Sequence, residues 1–323
     1  MDTNHEENIK KEFEQSESLN KVTNLGKVEP KTVRNKITAD DPEIKRINEI
    51  TGYQRINLSL LPSRGKFYRS DFEIFIRPAR VGEIREFSTL NEQDIKDVDD
   101  KLNGIVSNCT RIMYGTQRGS YKDILEEDRV FVILSIKELT FKSGEQKLMM
   151  PVTKKSCKNS SCKSQESVEL KTEVLQFENV EDTIEKYYDY DNRCYNIQTK
   201  NNGNISMAPP TIGVMRAITE YAREKERSSK PWDKSILAVL PYVQREWRGF
   251  SEKSIFNAMT QLQGWNTTKY SIVYRLAEQM KVGVKTEMKF PCKSCGDEVT
   301  VPLTFPGGIK SLFVIQDISS ELL

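Results

Sequence analysis

Cys157-Lys-Asn-Ser-Ser-Cys162 and Cys292-Lys-Ser-Cys295 are the two stretches that decide the fold of this 323-residue chain. Strand-like runs flank both stretches, at residues 147–153, 166–172, 284–290 and 298–304. A hairpin tip with two cysteines separated by two or four residues is a zinc knuckle, and two knuckles supply the four thiolates of a closed tetrahedral site. The sequence therefore predicts one structural Zn²⁺ bound by Cys157, Cys162, Cys292 and Cys295.

Two other roles for the cysteine pairs stay open at this point. A redox pair favours a strand-to-helix junction, whereas strand-like runs lie on both sides of each pair. Local disulfides suit a secreted protein, but the opening residues 1–7 contain no apolar signal segment, so we expect a reducing cytosol. The remaining cysteines stand alone, and the apolar neighbours of Cys109 predict a small buried side chain rather than a nucleophile.

The composition disfavours most classes of enzyme. The only histidine is His5, in the N-terminal extension. This excludes sites that depend on histidine, namely Ser-His-Asp triads, Cys-His dyads and histidine-based metal centres. The chain has no Walker loop and no GxGxxG motif, although a pair of catalytic carboxylates stays possible. We expect a structural rather than a catalytic zinc, because catalytic zinc usually has histidine or carboxylate ligands.

The charge balance gives no strong bias towards one kind of partner. Lys+Arg number 49 and Asp+Glu 47, a net charge of +2, whereas a dedicated nucleic-acid binder usually has a clear basic excess. No apolar run reaches the length of a transmembrane helix. We therefore expect a soluble protein with no membrane span, for which nucleic acid is not the main partner.

Periodicity along the chain predicts an α+β fold. Two β-hairpins are expected, at residues 56–76 and 192–207, and residues 172–180 read as extended chain. Helices are expected at residues 41–50, 81–90, 95–113, 124–139, 209–225, 234–247, 250–259 and 270–280. Within the fourth helix, the apolar run 128–139 leaves a strand as the alternative.

The order of these elements predicts two loosely similar lobes joined by the zinc-ribbon-like site of four cysteines. Residues 1–52 contain few large apolar side chains and predict an extension that is disordered or ordered by a partner. Residues 53–180 form the expected first lobe, which ends in the first knuckle, and residues 181–323 the second, which ends in the second knuckle. No residue-level repeat of fixed period is present.

Several short motifs resemble one family. Leu61-Pro-Ser-Arg-Gly-Lys-Phe-Tyr68, followed by Glu73-Ile-Phe-Ile-Arg-Pro78, resembles the opening of the tailed-phage baseplate family typified by the hub assembly protein of T-even phages. Glu127-Asp-Arg-Val-Phe-Val-Ile-Leu134 is similar to the family's central helix, and residues 302–313 to its C-terminal end. The resemblance covers about residues 56–315. The chain differs from the family in its N-terminal extension and in the wide spacing of its first cysteine pair.

The resemblance implies a non-enzymatic virion or virion-assembly protein, found in the virion or in the host cytoplasm during assembly. Its expected partners are other phage tail or baseplate proteins, with no small-molecule substrate. The alternative is a zinc-ribbon factor associated with nucleic acid, in transcription or DNA packaging. Lysines near the knuckles support that alternative: Lys154, Lys155, Lys158, Lys163, Lys289 and Lys293.

Exposed aromatic and basic side chains are the candidates for partner contact. The candidate residues are Arg64, Lys66, Phe67, Tyr68, Trp232 and Trp265. Two interpretations of loop 63–68 stay open, since it either contacts a partner or only closes its hairpin. Packing in the interior is the alternative for the aromatic residues, and we favour it for Trp247 and Tyr270.

Overall fold

The computed structural model describes residues 42–142, 146–158, 162–163, 165–199, 203–228 and 232–314. All of them belong to one compact unit that begins at Pro42. Most of the predicted N-terminal extension, up to Asp41, lies outside the described residues.

The described residues form a mixed α+β fold, as predicted. The helices are α1 (Pro42–Ile50), α2 (Val81–Ser88), α3 (Ile95–Cys109), α4 (Arg129–Thr140), α5 (Asp182–Glu185), α6 (Ile212–Arg227), α7 (Leu240–Val243), α8 (Glu252–Gln263) and α9 (Thr267–Gln279). The strands are β1 (Gln54–Arg55), β2 (Phe72–Ile76), β3 (Thr110–Tyr114), β4 (Gln117–Arg118), β5 (Met149–Pro151), β6 (Lys154–Lys155), β7 (Ser167–Glu169), β8 (Phe177–Glu178), β9 (Tyr188–Asp189), β10 (Cys194–Thr199), β11 (Gly203–Met207), β12 (Gly283–Val284), β13 (Glu287–Pro291) and β14 (Glu298–Pro302).

The first sheet is antiparallel, in the order β1-β2-β3-β4. The hairpin predicted at residues 56–76 is wrong in its first strand, because Leu58–Leu60 forms a 3-10 helix. The Asn57 side chain caps that helix by accepting a 3.0 Å hydrogen bond from the Ser59 N–H. The pairing with β2 is made instead by Gln54 and Arg55. Alternating apolar residues therefore did not indicate a strand here, and they did not all indicate burial, since Ile56 is buried whereas Leu60 is 54% exposed.

Two helices beside this sheet differ in how well the sequence predicted them. α3 was expected to continue to residue 113 but ends at Cys109, because residues 110–114 pair with β2 along their whole length. Sheet pairing therefore overrides the helical periodicity at this point. The run 128–139, for which helix and strand competed, is helical as α4.

Helices α2, α3 and α4 pack with the first sheet around one hydrophobic core. Buried side chains from residues 56–175 make up most of this core. Met288 and Val301, on the strands that flank the second cysteine pair, are fully buried in the same core, as are Leu312 and Phe313 beyond them. The second knuckle therefore packs with the first lobe, although it lies after the second lobe in the sequence.

Residues 184–280 surround a second core. The predicted hairpin at 192–207 is confirmed by the pairing of β10 with β11, while its turn at 200–202 lies outside the described residues. The helix expected at 234–247 is shorter than predicted. It consists of a 3-10 helix at Ser235–Ala238 and of α7, separated at Val239, with Pro241 in the first turn of α7. Proline lacks an N–H and favours the start of a helix over its interior.

Several contacts join the two cores, and those of Phe67 and Trp247 are among them. Phe67 packs against both of them. The indole Nε1 of Trp247 donates a 2.7 Å hydrogen bond to Asp123, and its ring lies so close to Gly213 that a Cβ there would sit 2.4 Å from the indole. The interior packing favoured for Trp247 therefore agrees with its position between α6 and Asp123.

Candidate metal centre

The second cysteine pair lies on a tight turn between β13 and β14. The two strands pair in register up to Pro291 and Glu298. Inside the turn, the Cys292 N–H donates to the Asp297 carbonyl at 2.6 Å, and the Gly296 N–H donates to the Cys292 carbonyl at 2.8 Å. Gly296 has a φ of +80°, a conformation that glycine adopts without steric cost. This turn holds Cys292 and Cys295 at one hairpin tip.

Backbone hydrogen bonds bring the first cysteine pair to that tip. β6 pairs with β14, and on either side of it Thr153 donates to the Thr300 carbonyl at 3.0 Å and Ser156 to the Glu298 carbonyl at 2.9 Å. The Lys158 N–H then donates to the Asp297 carboxylate at 2.8 Å. Residues 153–158 thus continue the sheet of the second hairpin and place Cys157 beside it.

The strands predicted around both pairs are confirmed. β5 pairs antiparallel with β7 before and after the first pair, as β13 does with β14 around the second. Residues 159–161 of the first knuckle lie outside the described residues.

The four predicted cysteines meet in one cluster. The Sγ atoms of Cys157, Cys162, Cys292 and Cys295 all lie within 4.8 Å of one another. Cys162 and Cys292, 130 residues apart in sequence, place their sulfurs 3.8 Å apart, and Cys157 and Cys295 place theirs 3.5 Å apart. A Zn–S bond of about 2.3 Å gives a regular tetrahedron with sulfurs about 3.8 Å apart. The spacing of the sulfurs therefore fits a metal ion at their centre.

The donor set limits the metals that suit this cluster. All six cysteines are free, and separations of 3.5 and 3.8 Å exceed a disulfide bond of about 2.05 Å. Four thiolates in a tetrahedron suit Zn²⁺ or iron, whereas Mg²⁺ and Ca²⁺ prefer oxygen ligands. The cluster is a possible metal site with every ligand supplied by the protein.

The thiols differ in their readiness to ionise. Backbone N–H groups of Ser294 and Cys295 point at the sulfur of Cys292 and lower its pKa to about 6. A hydrogen bond with the neighbouring Cys295 thiol raises the pKa of Cys157 to about 11, and the same neighbour raises the pKa of Cys162. Four adjacent thiolates repel each other, so full ionisation requires a cation among them.

The cluster lies at the surface among lysine side chains. Cys292 is buried, whereas Cys295 is exposed. Two of the surrounding lysines form ion pairs, Lys154 with Glu287 at 3.7 Å and Lys289 with Glu298 at 2.9 Å. Within the described residues, no ion pair involves the other lysines near the cysteines, which are Lys155, Lys158, Lys163 and Lys293.

The remaining two cysteines lie elsewhere and are buried. Burial raises the pKa of Cys109 to about 12, and its sulfur lies 3.5 Å from the Glu83 carboxylate. The sulfur of Cys194 lies 3.1 Å from the Ser206 hydroxyl. The interpretation of Cys109 as a small buried side chain is confirmed.

The residues suggested for partner contact do not share one environment. Arg64 is exposed, whereas Lys66, Phe67, Trp232 and Trp265 are partly buried. The Lys66 ammonium pairs with Glu185 and lies 3.0 Å from the Tyr195 hydroxyl. Trp232 and Trp265 pack against the second core. Loop 61–68 thus contributes to the packing between the cores as well as to the surface.

Tyr68 corrects the expectation of an exposed aromatic side chain, since it is only 5% exposed. Its hydroxyl donates a 2.7 Å hydrogen bond to Asp128 and accepts one of 3.0 Å from the Leu125 N–H. Ser63 donates to the same carboxylate twice, from its N–H at 2.9 Å and from its hydroxyl at 2.6 Å. Burial raises the pKa of Asp128, while these donors oppose that rise. We call Ser63, Tyr68 and Asp128 the loop–helix network.

Sequence reasoning missed the residues that support both features. Gly296 and Asp297 shape the knuckle, and a glycine directly after the second cysteine is a signal that was available. The partnership of Asp128 with loop 61–68 had no local signal. Its two halves belong to separate motifs, and only the fold brings them together.

No family model, curated protein or solved structure matches this chain. Among the described residues, none of the helices has both the length and the apolar character needed to cross a membrane.

Proposed function

We propose that this chain is a non-enzymatic structural or hub-assembly protein of a phage tail baseplate. It binds other virion proteins, in the virion or in the host cytoplasm during assembly. The observation that carries the proposal is the loop–helix network. Ser63 and Tyr68 come from the first motif of the resemblance and Asp128 from the second, and they hydrogen-bond to one another in the interior. Motifs that build a fold, rather than an exposed reactive site, suit a structural protein.

Structural Zn²⁺ is the second part of the proposal. Cys157, Cys162, Cys292 and Cys295 would hold it, and the ion would neutralise their thiolates and link the two hairpins. A closed set of four protein ligands leaves no position for a substrate, which favours a structural role. In small zinc modules such a site contributes on the order of 10 kcal/mol to folding.

Purification from phage-infected cells tests the baseplate assignment. A tagged chain is expressed from the phage genome, and its cross-linked partners are identified by mass spectrometry. The proposal expects tail or baseplate proteins as the main partners, in finished particles or in assembly intermediates. The same purification is repeated with Cys292→Ser, which removes a ligand of the metal cluster. Cys194→Ser, which changes a cysteine away from the cluster, is its control. Recovery of the chain alone, or only with host proteins, would refute the assignment.

A nucleic-acid-associated zinc ribbon is the second candidate. The observation in its favour is a group of exposed lysines near the cluster, Lys155, Lys158, Lys163 and Lys293, for which the described part of the chain provides no ion-pair partner. Phosphate contacts by such lysines would make binding weaken steeply with salt. Fluorescence anisotropy with labelled duplex and single-stranded DNA at low salt tests it, with the four lysines changed together to glutamine. Absence of binding at low salt removes this candidate.

A further inference from the structure

A cleft of about 580 Å³ lies between loop 58–64 and the segment that leads into β8. Its apolar lining comes from Leu60, Phe131, Leu175 and Phe177. Leu60 is 54% exposed, a high value for a large apolar side chain next to the first core. A cleft of this size with an apolar floor suits a ligand larger than a single side chain.

Two of the polar side chains in the cleft, those of Thr172 and Gln176, already form hydrogen bonds with other parts of the chain. The Thr172 N–H and hydroxyl both donate to Glu138, at 2.5 and 2.8 Å. The Gln176 amide pairs with the backbone of Lys289, donating to its carbonyl at 2.5 Å and accepting from its N–H at 3.1 Å. Gln176 thereby covers the outer edge of β13, where another strand would otherwise pair.

Two cations line the cleft and lack a carboxylate partner. Arg64 and Lys285 contribute them, and in the described portion of the chain neither forms an ion pair. Glu173 is the only acidic side chain among the described residues that line the cleft, so this lining carries a net positive charge. Its charge is complementary to a ligand that brings a carboxylate.

The backbone conformation of Arg64 supports a role for its side chain in ligand binding. Arg64 has a φ of +55°, a left-handed conformation that is uncommon for residues other than glycine, asparagine and aspartate. Its guanidinium lies 5.0 Å from the centre of the Phe177 ring, and one nitrogen donates to the Ser59 carbonyl at 3.1 Å. This conformation places a cation over the aromatic wall of the cleft, and strained positions of this kind are often functional.

We infer that this cleft binds an extended segment of a partner protein that carries a bulky apolar side chain next to a carboxylate. The apolar side chain packs on Leu60, Phe131 and Phe177, and the carboxylate pairs with Arg64 and Lys285. The inference rests on the proposed function and deepens it, because it assigns the surface through which the chain meets a partner.

Fluorescence anisotropy with the metal-loaded full chain tests the inference. The probes are labelled peptides with a central Leu, Ile, Phe or Trp between two Asp residues, and matched peptides with Asn in place of Asp. At least one acidic peptide should bind, and its Asn counterpart should bind about fivefold more weakly, the upper range for exposed ion pairs.

Variants of the lining locate the binding. Arg64→Asn removes the first cation and introduces a residue that tolerates the left-handed conformation. Lys285→Gln removes the second cation. Each substitution should weaken the binding of the acidic peptide about threefold. Leu60→Asp places a carboxylate on the apolar floor and should abolish binding. Lys281→Gln removes an exposed lysine that is not part of the lining and should leave binding unchanged. Melting temperatures of all four variants confirm that they are folded.

Three results would overturn the inference. The first is that no acidic peptide binds, and the second is that acidic and Asn peptides bind equally well. The third is that none of the substitutions in the cleft lining weakens the binding. Binding of single-stranded oligonucleotides that depends on Arg64 and Lys285 would assign the cleft to nucleic acid instead. Should peptide binding fail while the chain still co-purifies with tail proteins, the proposed function stands and only this surface assignment is lost.

Discussion

The Tyr68 hydroxyl donates a 2.7 Å hydrogen bond to the Asp128 carboxylate, 60 residues further along the chain. Both side chains are buried, and Ser63 donates two more hydrogen bonds to the same carboxylate. Loop 61–68 is thus fixed to the start of α4 by a charge-assisted network. Removing a member of such a network leaves buried donors or acceptors without partners, which is costly.

We expect Asp128→Ala to destabilise the protein by about 3 kcal/mol, because it orphans the Ser63 N–H and two hydroxyl groups. Tyr68→Phe keeps the aromatic ring and removes one donor to Asp128, so it should cost about 1 to 2 kcal/mol. Urea denaturation followed by circular dichroism measures both values. Equal and small effects of the two substitutions would show that the network contributes little to stability.

Glu127 should make the stability depend on pH. Burial, together with the neighbouring carboxylates of Glu126 and Asp128, raises the pKa of Glu127 from 4.5 to about 7, against the opposing effect of Arg129. Between these values the folded chain binds more protons than the unfolded chain. The free energy of unfolding therefore falls as the pH rises from about 4.5 to about 7.

Glu127→Gln should remove this dependence and stabilise the protein at pH 8 by up to about 3 kcal/mol, while having little effect at pH 4.5. The exposed Glu224→Gln is the control. Denaturation curves at intervals between pH 4.5 and 8 measure the difference between each variant and the wild type. A difference that stays constant across this range would contradict the elevated pKa.

Gly65 should not tolerate a side chain. It has a φ of +73°, and a Cβ there would lie 2.9 Å from the Cβ of Leu58. We expect Gly65→Ala to cost about 2 kcal/mol, from backbone strain and overlap together. Gly115 has a φ of +59°, and no atom of the described residues lies within 4 Å of its Cβ position, so Gly115→Ala isolates the backbone strain at about 1 kcal/mol. If thermal denaturation shows that the two substitutions lower the stability equally, the structure around Leu58 relaxes to accommodate the added Cβ at residue 65.

Metal binding should depend on four of the six cysteines. Cys157→Ser and Cys292→Ser each remove a ligand and should lose the metal and unfold much of the chain, because Met288 and Val301 lie in the first core. Cys109→Ser and Cys194→Ser, both away from the cluster, should keep it. Inductively coupled plasma mass spectrometry should find about one zinc per chain in the wild type and in the two control variants.

Equal zinc in all four variants would contradict the ligand assignment. Iron in place of zinc would keep the four-cysteine site and change only the ion proposed for it.

The metal ligands were predictable because their chemistry is local. Two cysteines on each of two short turns identify the ligands, and the flanking strand patterns identify the hairpins. Helices with polar caps are predictable for the same reason: the helix expected at 250–259 forms as α8, and Ser251 caps it by accepting the Ser254 N–H at 3.3 Å.

Features that depend on distant residues were not predictable. Residues 110–114 continue a helical pattern, yet they become β3 because β2 offers a partner. Tyr68 looks like a surface aromatic residue until Asp128 is placed beside it. The cleft draws its lining from four separate parts of the chain, around Leu60, Phe131, Phe177 and Lys285, so no single stretch of sequence indicates it.

The position of Met288 and Val301 inside the first core has a consequence for biosynthesis. Residues 184–280 form their own core in the middle of the chain and emerge from the ribosome before these two side chains do. We expect the N-terminal half to remain incompletely packed until translation is nearly finished. The last hairpin then packs against it and brings the four cysteine sulfurs together. A released chain that is truncated after Lys285 should therefore show a protease-resistant middle segment and a protease-sensitive beginning.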